Sequence, residues 1–156
     1  MESMNKLVEK YGFYGASAVL VIQKIEKEKV LELDLSTIAE LWNKTYRELT
    51  FHNSAPKNGC VFQSFVGLIF RGHVKFSQEI TIKGSYTYSK NYDYVKTAIS
   101  ILKSDYDNRW PQDLKVSELW KQVFLKLKRR EIAHNLQLHV LKALVENGMI
   151  GGFTYK

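Results

Sequence analysis

The sequence predicts a mainly α-helical single domain over residues 1–156, with two similar trihelical, helix-turn-helix-like halves and a small β-hairpin between them. Three observations lead to this fold class. Apolar residues recur at spacings of three and four along six stretches of the chain, which is the period of an amphipathic helix. The order of these stretches repeats, so that residues 5–74 resemble residues 91–150. The stretch between them, residues 75–89, alternates apolar and polar residues as short strands do.

The composition is typical of a globular protein. Hydrophobic residues make up 45% and charged residues 25% of the chain, which excludes global disorder. No apolar run approaches the roughly 20 residues that cross a bilayer, and Glu2 and Glu9 lie where a signal peptide would be basic. We therefore expect a cytoplasmic protein with no membrane contact. The single cysteine, Cys60, excludes an intramolecular disulfide and Cys-rich zinc sites.

Two helices are predicted at the start of the first half. The first covers residues 5–29, where Gly12 and Gly15 weaken the helix but permit close packing of another element. The second begins at Asp34 or Ser36, because either side chain can act as an N-cap.

The third helix of the first half is predicted to be a buried core helix. Residues 50–59 form a loop rich in polar residues, and residues 60–70 are almost wholly apolar. This apolar stretch is too short to span a membrane, so we expect it inside the core, ending at Gly72. Residues 75–89 then form the predicted hairpin, with its turn at residues 83–85. The alternative for this stretch is an irregular loop.

The second half is predicted to repeat this order. Asn91 caps its first helix, and a loop rich in Asp and Asn follows that helix. A helix over Val116–Leu127 leads to a basic turn at residues 128–130 and then to a last helix over residues 135–146. Gly148 ends this last helix.

The two halves match in register as well as in order. The tripeptide Glu-Leu-Trp at residues 40–42 returns at residues 118–120, a shift of 78. The Gly-x-aliphatic ends of the third helices, residues 72–74 and 148–150, differ by 76, and the first helices match less well at a shift of 80. We interpret this ordered match as an internal duplication. Each half resembles a helix-turn-helix unit, and the hairpin stands where a wing would.

The net charge of +7 favours acidic partners, and the basic residues are concentrated in one turn. Four of the five residues in 126–130 are Lys or Arg. They precede the last helix, where a recognition helix would begin, and phosphate contacts from such a turn would position that helix on a duplex. The predicted nucleic-acid-binding residues are Lys121, Lys126, Lys128, Arg129, Arg130, His134, Asn135, Gln137 and Lys142. The alternative is a solvated basic turn.

Polar residues mark the start of the last helix. Asn135 can cap this helix, and the free backbone N–H groups of a helix N-terminus suit an anion. Together with His134 and Gln137, it predicts a site for a phosphate or a base edge. The alternative is a network that caps the helix and anchors the preceding loop.

Cys60 and His134 are weak candidates for catalysis. Cys60 opens the third helix of the first half, and a helix N-terminus favours the nucleophilic thiolate form. With Asn135 they would form a Cys-His-Asn hydrolase site, whereas a buried structural cysteine is the alternative. The four histidines lack the His-x-x-x-His spacing of a metal site, and the chain has no Gly-rich nucleotide loop. We therefore predict no metal and no cofactor.

Tyrosines and lysines interleave across the boundary between the halves. They are Tyr86, Tyr88, Tyr92 and Tyr94 with Lys83, Lys90 and Lys96. Such a surface suits base stacking. The alternative is that these side chains pack the hairpin against the helix that follows it.

Six motifs are spread over most of the chain. They are Lys10-Tyr11-Gly12; Lys57-Asn58-Gly59-Cys60 with Phe65-Val66-Gly67-Leu68; Tyr86-Thr87-Tyr88-Ser89 with Asn91; Leu119-Trp120-Lys121-Gln122-Val123; His134-Asn135-Leu136-Gln137-Leu138-His139-Val140; and Gly148-Met149-Ile150. Together they resemble the pattern of an uncharacterised bacterial family of similar length, a domain of unknown function. The most specific motif is His134-Asn135-x-Gln137. The resemblance implies a shared fold and site location, with no activity or ligand attached.

The leading hypothesis is a small non-enzymatic protein that binds nucleic acid, specifically DNA. The basic turn would dock on phosphates, and Asn135 and Gln137 would be presented to bases or backbone. The alternative is a module that binds a protein partner, such as a bacterial or phage factor in defence or counter-defence. A small Cys/His enzyme is the third hypothesis.

Overall fold

A computed structural model describes residues 3–51, 59–87, 89–133 and 135–153. Its helices and strands, in chain order, are α1 (Met4–Lys27), β1 (Glu32–Leu33), α2 (Leu35–Thr50), α3 (Gly59–Phe70), β2 (Thr81–Ile82), α4 (Lys90–Asp105), α5 (Val116–Leu127) and α6 (Leu136–Glu146). The helices hold 64% of the described residues, so the predicted mainly helical class is confirmed. No helix within these ranges is both long and apolar enough to cross a membrane.

Local hydrogen bonds fix where α2 and α4 begin. Asp34, one of the two predicted caps, accepts a hydrogen bond from the Thr37 N–H at 2.8 Å. This bond lowers the pKa of the Asp34 carboxyl, because it stabilises the ionised form. The cap of α4 is Ser89 and not the predicted Asn91, since Ser89 Oγ accepts from the Asn91 N–H at 3.2 Å. Asn91 lies inside the first turn, where its side chain bonds to α6.

The predicted hairpin over residues 75–89 is wrong. β2 pairs in parallel with β1, so that Ile82 lies opposite Leu33. The Thr81 N–H donates to the Leu31 carbonyl just before β1 at 2.8 Å, and the Lys83 N–H donates to the Leu33 carbonyl of β1 at 2.7 Å. The linker between α1 and α2 therefore accepts the backbone hydrogen bonds of Thr81 and Lys83 that the second strand of a hairpin would otherwise accept. Buried Leu33 adds an apolar contact that an isolated two-stranded hairpin lacks. The described residues therefore contain no wing.

The helices of the two halves interlock. α1 packs most extensively against α6 and next against α2, whereas α3 packs most extensively against α4. α4 also packs against α5, and α3 against α6. The first helix of each half therefore contacts the third helix of the other half more than the third helix of its own half.

The segments that follow α3 and α6 meet between the halves. Val74 and Ile150 form an antiparallel β-bridge. They are the aliphatic residues of the two Gly-x-aliphatic segments, residues 72–74 and 148–150. On either side of the bridge, a backbone N–H of one segment donates to a carbonyl of the other, at 2.8 and 3.0 Å. The chain reaches this bridge from each helix through a glycine with positive φ, 78° at Gly72 and 73° at Gly148.

A buried tryptophan lies on the second helix of each predicted half, and each contacts a tyrosine of the preceding helix. Trp42 of α2 and Trp120 of α5 are each 1% exposed. Tyr14 of α1 stacks on Trp42 with ring centroids 6.1 Å apart, and Tyr94 of α4 packs edge-on against Trp120 at 5.4 Å. All but Tyr14 belong to one contiguous cluster of buried residues, and Tyr14 packs against it. The predicted burial of the third helix is confirmed, because most of α3 lies in the same cluster.

Candidate nucleic-acid interface

The basic turn is tied to the core on both sides. α5 ends at Lys128, which adopts the left-handed conformation with φ 55°. Beyond the turn, the Ile132 carbonyl accepts a hydrogen bond from Trp120 Nε1–H at 2.9 Å. Arg129 and Arg130 lie between Lys128 and Ile132, and Lys128, Arg129 and Arg130 are all exposed.

Two cations of this region reach α4. Lys126 Nζ donates to Ser100 Oγ at 3.5 Å, and Arg129 forms an ion pair with Asp93 at 3.4 Å. Since Ser100 follows Asp93 whereas Lys126 precedes Arg129, α5 runs antiparallel to α4. The basic turn therefore lies beside the first half of α4.

The outer face of α4 adds further cations. Lys96 and Lys103 are exposed, and with Ser100 between them they have the spacing of side chains on one helix face. Asp93 is engaged by Arg129, and Asp105 lies at the end of the helix. We call the surface formed by Lys96, Lys103, Lys126, Lys128, Arg129 and Arg130 the α4 basic surface.

Lys121 and Lys142 were predicted with these cations, and the structure places them differently from Lys126. Lys121 is exposed seven residues before Lys128, so it shares a side of α5 with Lys128 and not the side on which Lys126 contacts α4. Lys142 Nζ lies 5.8 Å from the centroid of the Trp110 ring, a cation–π contact. Conversely, Lys103 was not predicted, although its spacing of seven from Lys96 on an amphipathic helix is a signal that could have found it.

Arg71 and His73, which follow α3, lie beside α4. The Arg71 guanidinium lies over the rings of Tyr86 and Tyr92, 5.6 and 5.9 Å from their centroids. His73 Nε2 is 2.8 Å from the Tyr92 hydroxyl oxygen, and either atom can be the donor, depending on the tautomer. Neither residue was singled out from the sequence, because only tertiary packing brings the end of α3 to α4.

The electrostatic environment of His73 comes from α4. Partial burial lowers the pKa of His73, and the positive charges of Lys103 and Lys96 lower it further. Lys103 Nζ also lies 5.8 Å from the centroid of the Phe153 ring. Lys96 and Lys103 therefore belong to the α4 basic surface and also lower the pKa of His73 in the segment after α3.

The tyrosines for which both base stacking and packing were considered pack against the protein. Tyr92 and Tyr94 are 6% and 7% exposed, and Tyr86 is partly buried with its ring near Phe70. Tyr88 lies outside the described residues. The packing alternative therefore describes the three tyrosines that the structure includes, because their rings fill the space between α3, α4 and α5.

The start of α6 differs from the site expected there. Gln137 is fully buried, and its Nε2 donates to Asn91 Oδ1 at 2.9 Å, whereas its Oε1 has no hydrogen-bond partner among the described residues. Asn135 holds the N-cap position but makes no side-chain capping bond. His134 lies outside the described residues. Gln137 therefore links α6 to α4 and does not reach a base at the surface.

Cys60 is exposed in the first turn of α3. Ser64 Oγ lies 3.2 Å from the Cys60 carbonyl and 3.1 Å from the Asn91 carbonyl, so the start of α3 is joined to the start of α4. Because Gln137 also bonds to Asn91, the starts of α3, α4 and α6 meet in one place. The pairing of Cys60 with His134 stays a prediction, since His134 is not described.

The fold and the surface define a class of protein, small and mainly helical, with interlocked halves and a basic surface in the second half. Its described residues hold no group of three His, Cys, Asp or Glu side chains that could bind a metal ion. The chain belongs to DUF6979, a family of unknown function, whose family model matches residues 10–151. The expected membership of an uncharacterised family is thereby confirmed. Neither curated proteins nor solved structures give a match to the chain.

Proposed function

We propose that the protein binds nucleic acid, specifically DNA, on the α4 basic surface. The observation that carries the proposal is the pair of contacts from Lys126 and Arg129 to α4. These contacts join the cations of the basic turn to Lys96 and Lys103, so that two neighbouring elements contribute to one positively charged surface.

Backbone phosphates supply the complementary charge. Each Lys or Arg that neutralises a phosphate releases condensed counterions, so the affinity falls steeply as the salt concentration rises. Contacts of this kind position a protein on a duplex without reading its sequence. Because Gln137 is buried, we assign it no contact with bases. The proposed function is non-enzymatic and cytoplasmic.

A salt series with labelled duplex DNA tests the proposal. We expect binding at low salt and a linear fall of log K with log salt concentration. The variant K126Q/K128Q/R129Q/R130Q should bind more weakly and should reduce the slope by about 1 for each lost phosphate contact. Parallel titrations with duplex RNA separate the two kinds of nucleic acid.

The first half supplies a charge-matched control. Lys27, Lys29, Lys44 and Arg47 are exposed, and K27Q/K29Q/K44Q/R47Q removes the same number of charges. This variant should retain most of the affinity and the slope of the unchanged protein. No binding at low salt, or equal losses in the two variants, would refute the proposed surface.

A protein partner is the second candidate function, and one observation favours it. Leu125 is 78% exposed beside the cations of the basic turn, so a partner that binds there would bury an apolar side chain inside a polar rim, which is the arrangement of a protein interface. A partner that is captured after nuclease treatment, and is lost in Leu125→Asp, would support this candidate. If Leu125→Asp still binds DNA, the loss of the protein partner is assigned to Leu125 and not to the α4 basic surface.

A further inference from the structure

A cluster of basic and aromatic side chains adjoins the α4 basic surface where the chain leaves α3. We call it the His73 notch, and its members are Arg71, His73, Tyr92, Lys96 and Lys103. The three members on α4 follow one another by four and seven residues and so lie along one stripe of the helix. His73 meets this stripe at Tyr92, 2.8 Å from its hydroxyl oxygen. The notch therefore shares two lysines with the α4 basic surface and adds an arginine and a histidine.

The notch is held in place by its neighbours. The His73 carbonyl accepts a hydrogen bond from the Gly151 N–H at 3.0 Å, beside the bridge between the halves. The Arg71 guanidinium lies over Tyr92, and Lys103 lies over Phe153. Because these groups are already positioned, less conformational entropy is lost when a ligand binds.

The cations of the notch differ from Arg129 in their partners. Arg129 is paired with Asp93, whereas Arg71, Lys96 and Lys103 form no ion pair with any residue that the structure describes. All three are exposed. An anion that enters the notch meets three positive charges and displaces no carboxylate of the protein.

We propose that the His73 notch binds a backbone phosphate of the nucleic acid, with the Nδ1–H of the His73 imidazolium donating a hydrogen bond to that phosphate, because Nε2 faces the Tyr92 hydroxyl; this inference rests on the proposed function. Guanidinium, ammonium and imidazolium groups all form charge-assisted hydrogen bonds with phosphate oxygens. The nucleic acid then crosses α4, from the basic turn at one edge of the helix to the notch at the other.

Binding at the notch takes up a proton. In the free protein the pKa of His73 is lowered by burial and by Lys103 and Lys96, so the ring is neutral at pH 7. The Arg71 guanidinium also lies over the Tyr92 ring, and residues 147–153, which follow α6, carry no titratable side chain. A bound phosphate favours the imidazolium, so the pKa of His73 is higher in the complex. The affinity therefore rises as the pH falls between the two values, by about tenfold for each unit of the increase.

NMR titration of His73, free and saturated with a short DNA duplex, tests this proposal. We expect the duplex to raise the pKa of His73. His139 is the internal reference, because it is partly buried on α6 and its pKa is lowered by burial and by Lys142, outside the notch. The variant His73→Gln should remove the pH dependence of the affinity.

A paired variant separates the notch from the net charge. K96Q/K103Q should raise the pKa of His73 in the free protein and reduce the salt slope by about 2. K27Q/K44Q, with the same loss of charge in the first half, should do neither. A duplex that binds without changing the pKa of His73 overturns the notch and leaves the proposed function standing. A duplex that does not bind at low salt overturns both.

Discussion

The second helices of the two halves, α2 and α5, share their packing and differ at the surface. Each buries a tryptophan and ends at a residue in the left-handed conformation, Phe51 with φ 56° or Lys128 with φ 55°. Phe51 is 89% exposed, whereas Lys128 begins the basic turn. The outer side of α2 carries charges of both signs, from Glu40, Lys44, Arg47 and Glu48.

This contrast separates the residues that specify the fold from those that specify the surface. The matched core positions 42 and 120, which are 78 residues apart, both hold tryptophan. At the shift of 80 that relates α1 to α4, by contrast, Lys96 corresponds to Ala16 and Lys103 to Gln23. The first half therefore has a similar framework without lysines at the positions that match Lys96 and Lys103. Its exposed cations on α2 and around the end of α1 serve as an internal control for the α4 basic surface.

Substitution of the two tryptophans has the largest expected effect. Trp42→Ala and Trp120→Ala each leave a large cavity, and we expect each to lower the free energy of unfolding by about 3–5 kcal/mol in urea titrations. A much smaller loss in one of them would break the equivalence of the halves.

Milder changes at the same positions sharpen the comparison. Trp120→Phe also removes the hydrogen bond to the Ile132 carbonyl, which contributes about 1 kcal/mol, and so loosens the basic turn. We expect Trp120→Phe to weaken DNA binding and Trp42→Phe to leave it unchanged. Equal weakening in both would argue against a binding surface in the second half.

Two glycines at the interlocked helix pairs give the next largest effect. A Cβ at Gly15 would lie 3.0 Å from the His139 carbonyl oxygen, and a Cβ at Gly67 would lie 2.6 Å from Tyr92 Cδ1. We expect Gly15→Ala and Gly67→Ala each to reduce stability by about 1–3 kcal/mol. Only Gly67→Ala should also shift the NMR signals of His73, because Tyr92 contacts that ring. If the NMR signals of His73 shift in Gly15→Ala as well, the contact with Tyr92 is not the cause of the shift.

The pH dependence of stability compares one histidine from each half. His73 and His139 have pKa values lowered by burial from the usual 6.5. The unfolded chain takes up protons at these sites at a higher pH than the folded protein does. Their contribution to stability is therefore fully present above pH 6.5 and is lost as the pH falls from 6.5 through the lower pKa values of the folded protein. Thermal unfolding should show this decline, and His73→Gln and His139→Gln should each reduce it. A melting temperature that stays constant as the pH falls below 6.5 would refute a contribution of these two histidines to the stability.

Two ion pairs, one from each half, give the smallest effect. Asp93 pairs with Arg129, and Glu48 pairs with Lys24, both at 3.4 Å. We expect Asp93→Asn and Glu48→Gln to change stability by about 0–1 kcal/mol. Asp93→Asn should strengthen DNA binding, because it releases Arg129 for a phosphate, whereas Glu48→Gln should have no effect. Weaker binding by Asp93→Asn would show that the pair positions Arg129 instead.

Local sequence signals predicted most of the helices. Apolar periodicity located all six, and cap chemistry located the start of α2 at Asp34. The hairpin failed because β2 pairs with a strand far away in the sequence, and alternation of residue types does not identify the partner strand.

The candidate surface was only partly predictable. Four adjacent cations in residues 126–130 were visible as a local cluster. Their contact with α4, and the approach of His73 to Tyr92, arise from packing between elements that are distant in the chain. Gln137 was misjudged for the same reason, since a polar residue near a helix start is usually exposed and here it bonds to Asn91 inside the protein.

The pairing of α1 with α6 has a consequence for synthesis on the ribosome. α1 makes its most extensive contact with α6, which is synthesised more than 100 residues later. Until then its apolar side is open to chaperones and to other nascent chains. Folding is therefore completed after translation of α6, and a chain released before that point lacks the contact that holds its first helix.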